Sequence, residues 1–240
     1  MKKTNHRAFQ IGLLVLALVV LAGRAPANVS ADEGGAGQVF SSNGLTGITF
    51  DNSVDDADRA FLQTSLQFLS THLPVWYVYL ESAKPVMLSI DATRGASGTA
   101  AFADCCTQGV SKITFGYHFG TIAMPTQTNV QSLPARQIAF LGYLLHEATH
   151  IHDLRAGRIP RQMDSASCLV GEKAALAQEL AFKRALTLTH RTDSTLDPYR
   201  LAAQTQVDAE AANLDDARYW ERYCGCATEP KLSNGIDFAQ

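Results

Sequence analysis

The chain has 240 residues, with 20 Lys and Arg against 23 Asp and Glu, a net charge of −3, and 46% hydrophobic and 18% charged residues. That length and apolar fraction suit one globular domain, or two small ones, and exclude wholesale disorder, collagen and low-complexity architectures. The acidic balance argues against nucleic acid as the main partner, because phosphate binding needs clustered Lys and Arg.

The first residues read as an address. Lys2, Lys3 and Arg7 make a basic start, and an apolar run from Ile11 to Ala22 follows, closed by Gly23. Ala25-Pro26-Ala27 and Val29-Ser30-Ala31 both offer small residues in the spacing a signal peptidase needs. The run is shorter than the roughly 18–20 residues of a membrane span. Residues 1–27 are therefore expected to be a secretory signal peptide or an uncleaved N-terminal anchor. Either way the body lies outside the cytoplasm, secreted or held at the membrane by this segment alone. Losing residues 1–27 removes Lys2, Lys3, Arg7 and Arg24 and leaves a body at −7.

Export permits disulfides. The five cysteines are Cys105, Cys106, Cys168, Cys224 and Cys226. The two close pairs, Cys105-Cys106 and Cys224-x-Cys226, invite a bridge between them that would tie the tail to the middle of the chain. An odd count leaves at least one cysteine unpaired or bonded to another molecule. A thiolate metal site lacks the C-x₂-C spacing of zinc knuckles.

In chain order, residues 28–46 are rich in Gly, Ser, Ala and Asn and read as a flexible leader. The body would be a single domain over 47–240. Gly47–Asp51 reads as a short strand. Ser53-Val-Asp-Asp56 resembles a capping box ahead of a helix over Ala57–His72, with Phe61, Leu62, Leu66, Phe68 and Leu69 on its apolar side, ended by Pro74. The aromatic and aliphatic runs Trp76–Leu80 and Val86–Ile90 predict strands. Residues 91–111 read as a loop, and Lys112–Tyr117 alternates like a half-buried or edge strand. From Ser132 the pattern turns helical. One helix is capped by Ser132, has Pro134 in its first turn, and runs through Arg155 to a stop at Gly157 and Pro160. A second covers Ser167–Leu186 and a third Tyr199–Tyr223. The expected fold is α+β, a small mixed sheet with an edge strand over the long helix, followed by a helical C-terminal half.

The motif that carries chemistry is His146-Glu147-Ala148-Thr149-His150, an H-E-x-x-H. Histidines four apart on a helix project from one face and can hold one zinc ion (Zn2+), with Glu147 beside them to take a proton from an activated water. Leu141, Leu144, Leu145 and Ile151 supply the buried part of the same helix. Zinc needs a third protein ligand, and the next helix offers Glu172 and Glu179. Glu172 is flanked at helical offsets by Cys168, Leu169, Ala175 and Leu176. A carboxylate on an apolar face needs a cation, so Glu172 is the expected ligand. Glu179, the alternative, has Lys183 four residues on, as a solvated surface pair would. Asp153 shares the face of the two histidines, either as a hydrogen-bond partner of a ligand His or as a surface acid. His152 points away from that face, and Tyr143 reads as core packing. Tyr199, Tyr219, Tyr223 and His190 are open candidates for the oxyanion donor that peptide hydrolysis requires.

These residues resemble the gluzincin branch of zinc metallopeptidases, the thermolysin-like arrangement. His146, Glu147 and His150 sit on one helix and Glu172 downstream on the next, within about residues 132–186. The resemblance implies a zincin-like active-site helix, a single zinc ion, Glu147 as general base, and an edge strand that pairs with extended peptide, the part Lys112–Tyr117 would play. The family's Asp four residues after the ligand Glu is Leu176 here, and the third His of metzincins is replaced by Ala156. The sequence thus points to an exported zinc endopeptidase acting on a peptide or protein substrate. Its rivals are a non-catalytic exported binding protein on the same fold and a zinc amidase acting on cell-wall material.

Overall fold

The computed structural model describes residues 47–95, 100–107, 109–120, 132–189 and 191–225. The expected signal segment and leader, His190 and Cys226 lie outside them. The architecture is α+β, a four-stranded mixed sheet in the N-terminal part and a mostly helical C-terminal half. Strands β1 (Ile48–Phe50), β2 (Val86–Ile90), β3 (Ala101–Thr107) and β4 (Val110–Phe115) lie in the order β1-β2-β4-β3. The first two pairings are parallel, with Leu88 opposite both Phe50 and Ile113. β3 joins β4 antiparallel, with a register irregularity between Asp104 and Thr107.

Two strand expectations are corrected. Lys112–Tyr117 is not an edge strand: β4 lies between β2 and β3 with partners on both sides, and Ile113 and Phe115 are fully buried. The edge beside the long helix is β3, inside the segment read as a loop. Its Ala101-Phe-Ala-Asp104 start carries too little β-branched bulk to announce a strand.

Trp76–Leu80 is helical. Helix α1 (Asp56–His72) stops at Leu73, and α2 (Pro74–Glu81) begins at once, because Pro74 presets the backbone of a first helical turn. Trp76, Tyr79 and Leu80 then share one helical face. Trp76 meets Phe182 edge-on at 6.0 Å, and the Tyr79 hydroxyl bonds Thr149 Oγ1 at 2.8 Å. Tertiary docking overrides the β-propensity of the aromatics. The cap of α1 is Asp55, whose side chain accepts from the Asp58 amide, rather than Ser53. A single turn, α3 (Ala92–Gly95), follows β2.

Helix α4 (Leu133–Arg155) is the axle of the molecule. Ser132 caps it and Pro134 sits in its first turn. It is buried on nearly every side from Ala135 to Ile151, as a central helix packed between a sheet and other helices must be. Phe140 anchors one end in an aromatic cluster with Phe61, Phe115 and Phe119, at centroid distances of 5.8, 5.2 and 5.4 Å. Burying such a ring contributes about 1.5–3 kcal/mol. Helix α5 (Ser165–Leu188) packs along α4, and its Asp164 and Ser167 form a reciprocal capping box.

The expected third helix is three pieces: α6 (Asp197–Glu210), a 3₁₀ turn (Ala211–Leu214) and α7 (Ala217–Gly225). Asn213, Asp215 and Asp216 break it, because short polar side chains compete for the backbone, and Asp216 accepts from the Arg218 amide. Among the described residues the bridge is Cys168–Cys224, with a Cα–Cα distance of 5.7 Å. It ties the tail to the start of α5 and not to Cys105 or Cys106, which lie on β3. Among the described residues no helix is long and apolar enough to cross a membrane.

Candidate metal centre

His146 and His150 stand one turn apart on α4, with ring centroids 5.0 Å apart. Both Nε2 atoms face the Glu172 carboxylate, which α5 delivers from the facing helix. His146 Nε2 lies 3.2 Å from Glu172 Oε2, and His150 Nε2 lies 3.4 Å from Oε1. One ligand atom from each of the three lies within 4.8 Å of the others. The three residues are only 2–3% exposed.

Hydrogen bonding does not account for this burial. His150 Nδ1 and Nε2, Glu172 Oε1 and Glu147 Oε2 are all buried with no hydrogen-bond partner. Buried polar atoms almost always find one, and leaving several unsatisfied in one place is costly. The charge balance points the same way. Among the described residues Lys183 pairs with Glu179 and Glu210, while Glu147 and Glu172 have no lysine or arginine ion-pair partner. Two imidazoles and one carboxylate are a tetrahedral zinc donor set with a position left open. A divalent cation would take up the orphaned lone pairs and offset the excess negative charge.

Glu179 is not a surface acid. It is 1% exposed, and its Oε2 lies 3.2 Å from His146 Nδ1, on the far side of the ring from Glu172. Its Oε1 accepts from Lys183 Nζ at 2.6 Å, and Lys183 also donates to Glu210 Oε2 of α6 at 2.5 Å. The Glu179–Lys183 pair expected in solvent is thus completely buried. Gly142 makes room for it: a Cβ there would stand 2.8 Å from Glu179 Oε1 and 2.9 Å from Lys183 Cε. Glu179 therefore sits where a carboxylate fixes the tautomer of a ligating histidine. Asp153 is bound instead by Arg158, with Nε and Nη2 at 2.7 and 2.6 Å from its Oδ1.

The electrostatics follow from burial. Burial pushes the Glu147 carboxyl up to about 7, against the pull of His150 and His146. Burial also opposes ionisation of Glu172, but His150 and His146 outweigh it and hold the group at about 2. Burial works against Glu179 too, and Lys183 and His146 keep it ionised. Glu210 is pushed up by burial and by Glu179, with Lys183 only partly compensating.

A cavity of about 10 Å³ reaches this cluster, enough for one water or one ion. His146, Glu172 and Glu179 form its floor, and Tyr219, Trp220 and Tyr223 of α7 its roof. Burial, followed by the charges of Glu172, Glu179 and Glu210, pushes the Tyr219 hydroxyl up to about 12.

The other aromatic candidates are engaged elsewhere. Tyr199 donates to Gln137 Oε1 at 3.0 Å and stacks on Phe68, while Tyr143 is in the core. His152 meets Tyr79 O and Ser82 Oγ at 3.2 and 3.1 Å and fastens α2 to α4. A second acidic grouping, Asp55, Asp58 and His118, is structural. Asp55 caps α1, and the two Asp58 oxygens meet the Gly120 amide and His118 Nδ1 at 2.7 and 2.6 Å.

Sequence reasoning missed Lys183 and Glu210 as parts of the site, and Gly142 as its spacer. Phe182 and Leu186 beside Lys183 were the available sign of burial, whereas Glu210 lies 27 residues from Lys183 with no spacing to announce it. Against this geometry, comparison with protein-family models, with curated proteins and with solved structures finds no match.

Proposed function

We propose that the protein is an exported zinc-dependent hydrolase, a metallopeptidase of gluzincin type acting on a peptide or protein substrate. The observation that carries the reading is the convergence of His146, His150 and the Glu172 carboxylate in a buried cluster where both His150 nitrogens, Glu172 Oε1 and Glu147 Oε2 lack hydrogen-bond partners. These three residues would hold the ion. When bound, zinc supplies a Lewis acid that acidifies water and polarises a carbonyl.

The remaining chemistry belongs to the chain. Glu179 accepts from Nδ1–H of His146 and so leaves the Nε2 lone pair free for the metal. Lys183 keeps Glu179 ionised for that task. Glu147, adjacent in sequence to a ligand and pushed up to about 7, is poised near neutrality to take a proton and return it to the leaving amine. Tyr219 borders the same cavity and stays protonated, so it is available as a hydrogen-bond donor.

Metal analysis of the purified protein after zinc reconstitution should give one zinc per chain, and a metal-free result would defeat the proposal. Glu172→Ala should lose the ion. If Glu179→Ala alone lost it, the third ligand would be reassigned. Glu147→Gln should retain zinc and lower turnover of a broad peptide library by about 10²–10⁴-fold. Equal activity in both proteins would sink the mechanism.

The burial of the ligands beneath α7 favours a second reading, a structural metal in a non-catalytic binding protein. A wild type that holds zinc but turns over neither peptides nor cell-wall fragments would select it.

A further inference from the structure

Helix α7 is attached unlike any other helix of the C-terminal half. It rests chiefly on α5. Trp220 and Cys224 belong to a small apolar cluster with Cys168, Leu176, Leu180 and Val207, separate from the main core. The segment before it is a 3₁₀ turn and a polar link, 211–216. Its far end is fixed by the Cys168–Cys224 bridge. The helix is nine residues long, below the length at which a helix persists without tertiary support. Yet its inner face, Tyr219, Trp220 and Tyr223, is the roof over His146 and Glu172.

A small unit held by one satellite cluster and one covalent tie belongs to the low-stability end of a structure, and such units open first. We propose that α7 is a latched cover: the Cys168–Cys224 bridge holds it closed over the ligand cavity, and release of the bridge lets it swing on the 211–216 link and admit ions or reagents. This builds on the reading of His146 and Glu172 as metal ligands, but the test below needs no metal.

The test uses the full chain in metal-free form, with diethyl pyrocarbonate as the probe of imidazole access. Carbethoxylation of His146 is followed by mass spectrometry and referred to His118, whose side chain is 38% exposed and lies outside the cavity. Three forms are compared: the bridged wild type, the reduced wild type, and Trp220→Ala with the bridge intact. Reduction uses a water-soluble phosphine, which leaves as its oxide with oxygen from water, and both sulfurs leave as thiols. In the bridged wild type His146 should react far more slowly than His118. In the other two forms the His146 rate relative to His118 should rise about tenfold or more, with the cooperative thermal transition preserved. A ratio unchanged in the reduced wild type overturns the proposal, and a rise in Trp220→Ala alone assigns the hold on α7 to the apolar cluster instead of the bridge. Zinc content is a separate measurement, so a protein that never binds zinc but opens on reduction would defeat the metal reading and leave the latch standing.

Discussion

Glu210 and Lys183 form the part of the site where pH should act most clearly. Glu210 has a folded pKa of about 7, raised above its unfolded value by burial and by Glu179. Its bound proton therefore stabilises the fold fully at pH 4.5 and below, and that contribution is lost as pH rises through about 7. Between pH 4.5 and 8 the metal-free wild type should lose about 1–3 kcal/mol relative to Glu210→Gln. Urea titration of both proteins across that range checks it, and parallel profiles would show that Glu210 ionises freely. At this scale the sequence was readable where spacing encodes geometry. His146 and His150 at four residues, and Glu172 among Cys168, Leu169, Ala175 and Leu176, lie together as expected. Glu179 and Lys183 were not readable, because an acid and a base four residues apart look the same on a solvated face as in a core. Only the partners from α4 and α6 distinguish the two cases.

Among the elements, α4 and α5 meet along the line where the buried ion pair lies, and Gly142 sets their separation. Alanine at that position would gain about 1 kcal/mol of helix propensity. The added Cβ would press within 2.9 Å of both Glu179 and Lys183 in a packed interior. The overpacking should prevail, destabilising Gly142→Ala by about 1–3 kcal/mol and loosening zinc. Thermal denaturation and zinc titration of the variant would measure both effects, and a more stable Gly142→Ala with unchanged zinc affinity would refute the spacing argument. Helices with conventional ends were legible: Ser132 and Pro134 mark the start of α4 and Gly157 its end. The failures came where local preference and tertiary need diverge. The aromatics of α2 favour a strand in isolation and became helical to dock on Phe182 and Thr149. The weakly patterned β3 became a strand because β4 offered it an open edge.

For the whole molecule, the proposed zinc would link metal to fold, because its ligands are buried. Zinc held at about 100 times its dissociation constant should add about 2.7 kcal/mol, raising Tm by about 5–10 °C in a chain of this size. Differential scanning calorimetry with zinc and with a chelator reads this directly. A Tm independent of zinc would mean that the folded chain has no preference for the ion over the unfolded one. The α+β layout was legible from the order of periodic segments. The strand order was not, because which edge accepts β3 depends on how α4 covers the sheet rather than on any pattern within β3.

The expected ligands all come from one helical hairpin. His146, His150 and Glu172 belong to α4 and α5, joined by the short link 156–164, whereas the pairing of β1 with β2 must close across α1 and α2. Loop-closure entropy grows with the logarithm of the length enclosed, so the hairpin is the cheaper contact to make and the last to give up. The order of assembly follows. The α4–α5 pair should form before the sheet is complete, and the ion can take its place while the N-terminal strands are still searching for register. In hydrogen exchange, the amides of Leu144–Ile151 and Ala175–Leu180 should outlast those of Ile48–Phe50. Exchange that is slower in β1 than in α4 would reverse the sequence and make the metal a late arrival.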